Sequence, residues 1–281
     1  MAHIGVSIFP TDYSIQPVEL AQAIEERDLD SLFVCEHTHI PASRQSPWPG
    51  GGELPKEYWH THDPFVALAA AAAVTKRIKL GTGICLVVER DPIQLAKEVA
   101  SLDMISEGRL ILGLGAGWNA EEMANHGVEF DRRWKVVKEK VEAMRVIWTE
   151  DEPEYHGEFV DFDPIWSYPK PVQVGGPPLW MGAQSRWAFP RTVDYCDGWM
   201  PISFMPGLKD GLATLRAACE QAGQDYDRFD KAVFAAPAEQ AASSDLINAG
   251  FSHLIYPLPS ETRDKILPIL DQYAALAATL R

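Results

Sequence analysis

The sequence predicts an α/β protein folded as a (β/α)8 TIM barrel. Three observations carry that expectation. Eight short apolar runs alternate with eight segments of helical periodicity in a chain of 281 residues, an ordinary length for this architecture. The run Leu110-Ile111-Leu112-Gly113-Leu114 is apolar at both alternating positions, as a parallel strand covered on two faces must be. Gly115-Ala116-Gly117-Trp118 follows at its carboxyl end, where parallel α/β proteins keep their chemistry. An open doubly wound sheet is the competing arrangement.

Taken in order, residues 4–9 (IGVSIF) form the first strand, and Pro17 opens a helix in which Val18, Ala21 and Ile24 share a face. Residues 32–35 are the second strand. Residues 38–59, rich in Pro, Gly and Ser, make a long loop of the kind that is usually functional. Asp63-Pro64 caps a helix reaching Thr75, and residues 78–84 (IKLGTGI) are the third strand. Asp91-Pro92 starts the next helix, whose Ile93, Ala96, Val99 and Ala100 recur at helical spacing until Ser106-Glu107-Gly108 stops it. After the fourth strand a helix begins near Glu121. A stronger one carries Trp134, Val137, Val141, Met144 and Trp148 opposite Lys135, Lys138, Glu139 and Glu142. Residues 149–178, rich in Pro and Gly with interleaved aromatics, read as an insertion after the fourth βα unit, packed on one barrel domain spanning residues 1–281. Strands five to eight are expected at 179–182, 198–202, 232–236 and 251–256, with helical patterns near 187–195, 208–221, 237–248 and 262–280.

Bulk properties narrow the partners. A formal charge of −15 argues against nucleic acid and against anionic membrane surfaces. The longest uncharged alanine-rich run, residues 64–75, is too short to span a bilayer. Cys35, Cys85, Cys196 and Cys219 are scattered, and Met1-Ala2-His3-Ile4 does not open a secretory leader. Reduced thiols in a cytoplasmic protein are the expectation.

Five places could carry chemistry. Gly113-Leu114-Gly115-Ala116-Gly117-Trp118 fails as a dinucleotide fingerprint, because Trp118 replaces a glycine and the loop follows the fourth strand rather than the first. It remains a glycine-rich exit that lets a flat ligand approach backbone beside an indole, or a tight turn with a space-filling tryptophan. Glu36-His37 ends strand two, where a histidine can donate a hydrogen bond or shuttle a proton. His37-Thr38-His39 and His60-Thr61-His62-Asp63 could bind a metal, yet no third-ligand spacing follows. Gly182-Ala183-Gln184-Ser185-Arg186 stands where a strand exits into a helix start, suited to phosphate or to an ordinary serine cap. Gly81-Thr82-Gly83-Ile84 suggests a bulge or a close backbone approach.

Together these residues resemble the bacterial luciferase-like monooxygenase superfamily, and within it the branch of oxidoreductases that use the deazaflavin coenzyme F-420. The resemblance rests on IKLGTGI, RDPIQLAKEVASLDMISEGRLILGLGAGW, HGVEFDRRW, PKPVQVGGPPLWMGA and DYCDGW, and is most specific from Lys76 to Trp199. It implies a flavin-type cofactor across the strand C-termini. Glu36 and His37 would contact the ring or substrate, with His37 the catalytic candidate. Ser7 and Thr82 join the cofactor contacts, and Gly83-Ile84 matches the family's non-prolyl cis peptide behind the ring. Gly115, Ala116, Gly117 and Trp118 match the wall beside the ring. Gly182, Ala183, Gln184 and Ser185 match the phosphate cradle, although Ala183 replaces a usual glycine. Trp118 stands where sugar-phosphate dehydrogenases of the superfamily place a catalytic glutamate, which counts against that activity.

The expected function is hydride transfer between coenzyme F-420 and a small organic substrate, with FMN-dependent monooxygenation by dioxygen as the alternative. A metal-dependent barrel hydrolase and a non-catalytic flavin binder are further alternatives, although no metal ligand set is assigned. A homodimer is compatible with the resemblance.

Overall fold

In the computed structural model, which describes residues 2–281, eight parallel strands close into a ring. They are β1 (His3–Ile8), β2 (Ser31–Val34), β3 (Lys79–Thr82), β4 (Leu110–Gly115), β5 (Leu179–Met181), β6 (Gly198–Trp199), β7 (Asp230–Phe234) and β8 (His253–Pro257). Each pairs with the next, and β8 closes on β1 through a register running from His3 opposite His253 to Ser7 opposite Pro257. The principal helices are α1 (Pro17–Glu26), α2 (Pro64–Val74), α3 (Pro92–Ile105), α4 (Arg133–Thr149), α5 (Ala188–Tyr195), α6 (Leu208–Ala222), α7 (Gln240–Ala249) and α8 (Arg263–Leu280). This is the (β/α)8 barrel that the alternation predicts.

Local chemistry explains the boundaries. The Asp63 side chain accepts the Phe65 and Val66 N–H groups at 2.9 and 3.0 Å, and Asp91 accepts those of Ile93 and Gln94 at 3.0 and 2.9 Å. Both helices place proline in their first turn, where no donor is lost. Beyond α3, Gly108 takes the left-handed conformation at φ +77°. Strand β6 is shorter than residues 198–202. Pro201 has no N–H for the ladder, and pairing resumes only at the isolated bridge of Ile202 with Phe234. The long loop carries a short helix, Glu57–His60, and a two-residue strand, Cys85–Leu86, pairs with the end of β4.

The insertion folds an antiparallel hairpin from Tyr155–His156 and Asp161–Phe162. Its return is pinned to the body. The Gln173 N–H and side-chain amide donate to buried Asp103 at 3.0 and 2.6 Å, and Lys170 Nζ donates to the Ile147 carbonyl at 2.6 Å.

Two apolar layers result. Phe33, Ile111, Trp180, Met200, Ala232 and Ile255 fill the barrel, while the larger cluster lies between strands and helices. At the amino end of the barrel, buried Arg109 donates to the carbonyls of Ala72, Thr75, Ile78 and Ser106 and to the Thr75 hydroxyl, at 2.7–3.1 Å. One guanidinium thus satisfies the C-terminal carbonyls of α2 and α3. No helix among the described residues is long and apolar enough to cross a membrane. The four cysteines are free and buried.

At the same end His253 is stacked on His3 with centroids 4.4 Å apart and lies 5.1 Å from the Trp180 ring. Neither of its nitrogens has a hydrogen-bond partner among the described residues. Burial, with His3 and Lys79 adding repulsion, pulls its pKa from 6.5 down to about 3. Between those values the unfolded chain takes a proton that the folded protein refuses, so stability falls as pH drops through that window. The expected loss from this residue between pH 7 and pH 5 is about 2 kcal/mol. Urea unfolding at the two pH values, in the wild type and in His253→Phe, measures it. An equal acid loss in both proteins would remove His253 as the cause.

Candidate active site

The carboxyl ends of the strands gather most of the residues singled out in the sequence. Ile4, Val6 and Ile8 of β1 belong to the outer apolar layer, so alternation turns Ser7 toward the barrel interior, where it is buried. The Thr82 hydroxyl, at the end of β3, donates to the Gly113 carbonyl at 2.7 Å. The Gly83–Ile84 peptide that follows is cis.

This bulge changes the meaning of the glycines. A Cβ at Gly115 would lie 2.2 Å from Ile84 Cδ1, and one at Gly182 would lie 2.3 Å from Ile84 Cγ2. Ile84 therefore occupies the space that side chains at the exits of β4 and β5 would need. In sequence the glycine-rich exit reads as room for a flat ligand. In the structure the room beside Gly115 is filled by an isoleucine from the neighbouring strand's exit. Gly117 is required for a different reason, its φ of +75°. Ala116 is buried, and Trp118 stands half-buried at the rim.

The exit of β5 also departs from the expectation of an immediate helix start. Helix α5 begins at Ala188, and its first N–H groups are not capped by the Ser185 side chain. The Ser185 carbonyl instead accepts the Ala188 N–H at 2.8 Å, and the serine is exposed. Gly182 uses its N–H on the Leu114 carbonyl at 2.8 Å. Among the described residues the N–H groups of Ala183, Gln184 and Ser185 donate to no protein acceptor. Neither Gly182 nor Ala183 has a positive φ, so alanine at 183 carries no conformational cost. Three successive free N–H groups suit an anion.

Glu36 and His37 divide sharply. Glu36 has both carboxylate oxygens engaged by the protein. Its Oε2 accepts the Leu86 N–H at 2.7 Å, and its Oε1 accepts two donors of Arg90, one of them Nε at 2.8 Å. Arg90 extends the cluster to Asp63 and Glu98 at 2.6 and 3.1 Å. Burial is the strongest influence on Arg90 and opposes its charge, but Glu36, Cys85 and Asp63 together outweigh it and hold the guanidinium above its ordinary pKa. Glu36 is thus a brace between the exits of β2 and β3, with both carboxylate oxygens engaged by protein donors.

His37 keeps one nitrogen for chemistry. Its Nδ1 lies 2.7 Å from Glu122 Oε2, within a pair whose residues are 9% and 1% exposed. Its Nε2 has no protein hydrogen-bond partner among the described residues. A carboxylate on Nδ1 fixes the tautomer and leaves Nε2 to take or give a proton. The ring packs against Tyr58 at 5.2 Å and edge-on to Trp118 at 5.7 Å. The other histidines face different partners: His39 meets Thr38 and Asn125, and His60 meets Asp12. Among the described residues no group of three potential ligands converges on a metal position.

Sequence reasoning missed Glu122, Glu89 and the brace made by Arg90. Glu122 sits in the first turn of the short helix Ala120–Asn125, whose Asn119 cap accepts the Glu122 N–H at 3.3 Å. An acid there normally reads as a solvated helix start. Glu89 sits in the single-turn helix Val87–Glu89 and is buried. Desolvation, then Glu122 and Glu36, push its pKa up to about 9. Lys140 spans the same region, donating to the Val88 and Arg90 carbonyls at 2.8 and 2.7 Å, and burial lowers its pKa to about 8.

A family model described as luciferase-like monooxygenase matches residues 15–267. An uncharacterised protein of Mycobacterium tuberculosis is 37% identical over 279 residues, covering 98% of this chain and 99% of that one. The F-420-dependent glucose-6-phosphate dehydrogenase of Amycolatopsis mediterranei is 29% identical over 231 residues, 75% of this chain and 62% of that one. The crystal structure of monooxygenase RslO1 from Streptomyces bottropensis aligns with a TM-score of 0.80 at 20% identity, over 99% of both chains. An F-420-dependent secondary alcohol dehydrogenase, in complex with an F-420–acetone adduct, aligns at 0.80 and 19% identity over 100% of this chain and 99% of that one. At these identities the two structures speak to the fold.

Proposed function

The chain belongs to the luciferase-like monooxygenase family, and from that premise we propose that it is an oxidoreductase transferring a hydride between coenzyme F-420 and a small organic substrate. The observation that carries the reading is His37, buried at the barrel mouth with Nδ1 committed to Glu122 and Nε2 uncommitted. Hydride transfer to or from carbon bound to oxygen or nitrogen needs a group that gains or loses one proton, and this imidazole is built for it. The cofactor supplies the hydride chemistry when bound.

The residues present fit such a group. The free N–H groups of Ala183, Gln184 and Ser185 would hold its phosphate, and the Gly83–Ile84 bulge, Gly115–Trp118 and Ser7 would flank the ring. Trp118 screens the His37 ring from water along one edge. Its bulk, in place of a carboxylate, speaks for a substrate other than a sugar phosphate. The family's description and the fold shared with RslO1 support a second reading, FMN-dependent monooxygenation.

Parallel titrations with F-420 and with FMN, followed by ring fluorescence, separate the two. The expected outcome is micromolar binding of F-420 and weaker binding of FMN. Tighter FMN binding would transfer the proposal to the monooxygenase reading, and failure of both would end it.

A further inference from the structure

His37 shares the barrel mouth with aromatic rings from three separate elements. It follows β2, Tyr58 comes from the short helix Glu57–His60 of the long loop, and Trp118 follows β4. The His37 ring lies 5.2 Å from that of Tyr58 and 5.7 Å from that of Trp118, and the Tyr58 and Trp118 rings are 6.5 Å apart. Their planes differ. Trp118 stands at 71° to His37 and 73° to Tyr58, whereas His37 and Tyr58 are inclined by 39°. One indole wall beside two less steeply inclined rings makes a corner. Phe9 and Trp48 extend it past Tyr58, at 4.5 and 5.9 Å from that ring.

Rings that only fill a core are covered, as Phe33 and Trp180 are inside this barrel. At the mouth, Phe9, Trp48, Tyr58 and Trp118 are all half-buried and keep ring surface free of protein contact. Aromatic surface left open around a polar group is the composition of a small-molecule site.

The charges beside the corner are already matched. Arg90 and the Leu86 N–H hold Glu36, and Glu122 faces His37 Nδ1. Among the described residues the one cation stacked on these three rings is Arg44, 5.9 Å over Trp118, and it is exposed to water that screens it. An anion entering the corner would shed its hydration for no buried cation, and an ammonium would find no unengaged carboxylate.

We propose that this corner is the substrate subsite and that it takes a flat, uncharged molecule, an aromatic or conjugated alcohol or carbonyl compound whose oxygen meets His37 Nε2. Trp118 determines the class: a planar substrate stacks on one ring of the corner and meets another edge-on, as aromatic pairs prefer. Trp118 also ends the stretch assigned to the side of the cofactor ring, so the corner adjoins that ring. The naming of this ligand as substrate rests on the oxidoreductase reading above.

The test uses the protein without cofactor. Benzyl alcohol is the flat neutral probe, benzoate and benzylamine are its charged counterparts, and 1-hexanol is a neutral probe without a ring. Binding is followed by the shifts of the His37 ring signals in NMR titrations. Benzyl alcohol is expected to bind about tenfold more tightly than each of the other probes. Trp118→Leu, apolar but without a ring, should weaken it about fivefold, and Trp118→Phe should stay close to the wild type. Tighter or equal binding of a charged or ringless probe, no His37 shift with benzyl alcohol, or unchanged affinity in Trp118→Leu would overturn the assignment. Displacement of benzyl alcohol by F-420 or FMN would overturn it as well, because the corner would then belong to the cofactor ring. Failure of F-420 to bind would fall on the proposed function alone, since the probe titrations need no cofactor.

Discussion

Arg90→Ala is expected to lower the folding free energy by about 3–5 kcal/mol. The reason is the partner left behind. Glu36 is buried at the exit of β2, and Arg90 supplies its charge compensation and two of its three hydrogen bonds. Removing the guanidinium strands a carboxylate where water cannot replace the donors. The same change frees Asp63 and Glu98, but both are more exposed and contribute little. Replacing both partners by apolar residues of similar size, Glu36→Leu with Arg90→Met, should cost clearly less than the single change, because no charge remains unpaired. Urea unfolding of the three proteins decides it. A single variant within 1 kcal/mol of the wild type would show that the brace is not a structural determinant.

The second large effect belongs to His37. His37→Ala is expected to reduce turnover by about 10²–10⁴-fold, the usual range for a positioned acid or base. Cofactor affinity should change by less than about threefold, since the ring meets Trp118, Tyr58 and Glu122 rather than the β5 exit that would hold a phosphate. Fluorescence titration gives the affinity, and steady-state rates with any substrate that turns over give the rest. Unchanged turnover would strip the residue of its role.

Much of the frame was legible because each local signal agrees with its neighbours. Asp91-Pro92 and Gly108 bound α3, and Leu110–Leu114 can only be a strand covered on both faces. The overestimate at β6 has a local cause, Pro201, that strand-like composition conceals. Around the site, His37 was legible from its position at a strand end. Its partner was not. Glu122 lies 85 residues away in a helix turn whose sequence looks solvated. Arg109 gives no hint in its own surroundings that it serves two helix ends.

The glycines show the division most clearly. Their place after an apolar strand is a property of the chain, and with the longer anchoring phrases it suffices to identify the barrel and the family. Why Gly115 and Gly182 must be glycine depends on Ile84, which reaches both from another strand's exit. Likewise Glu36 is a brace and His37 an acid–base candidate only because Arg90 folds onto the first and Glu122 onto the second. Periodicity and turn chemistry act over a few residues, so the sequence alone determines the elements and their order. Which carboxylate is spent and which imidazole stays free is decided by contacts between distant segments, and only the closed barrel brings those together.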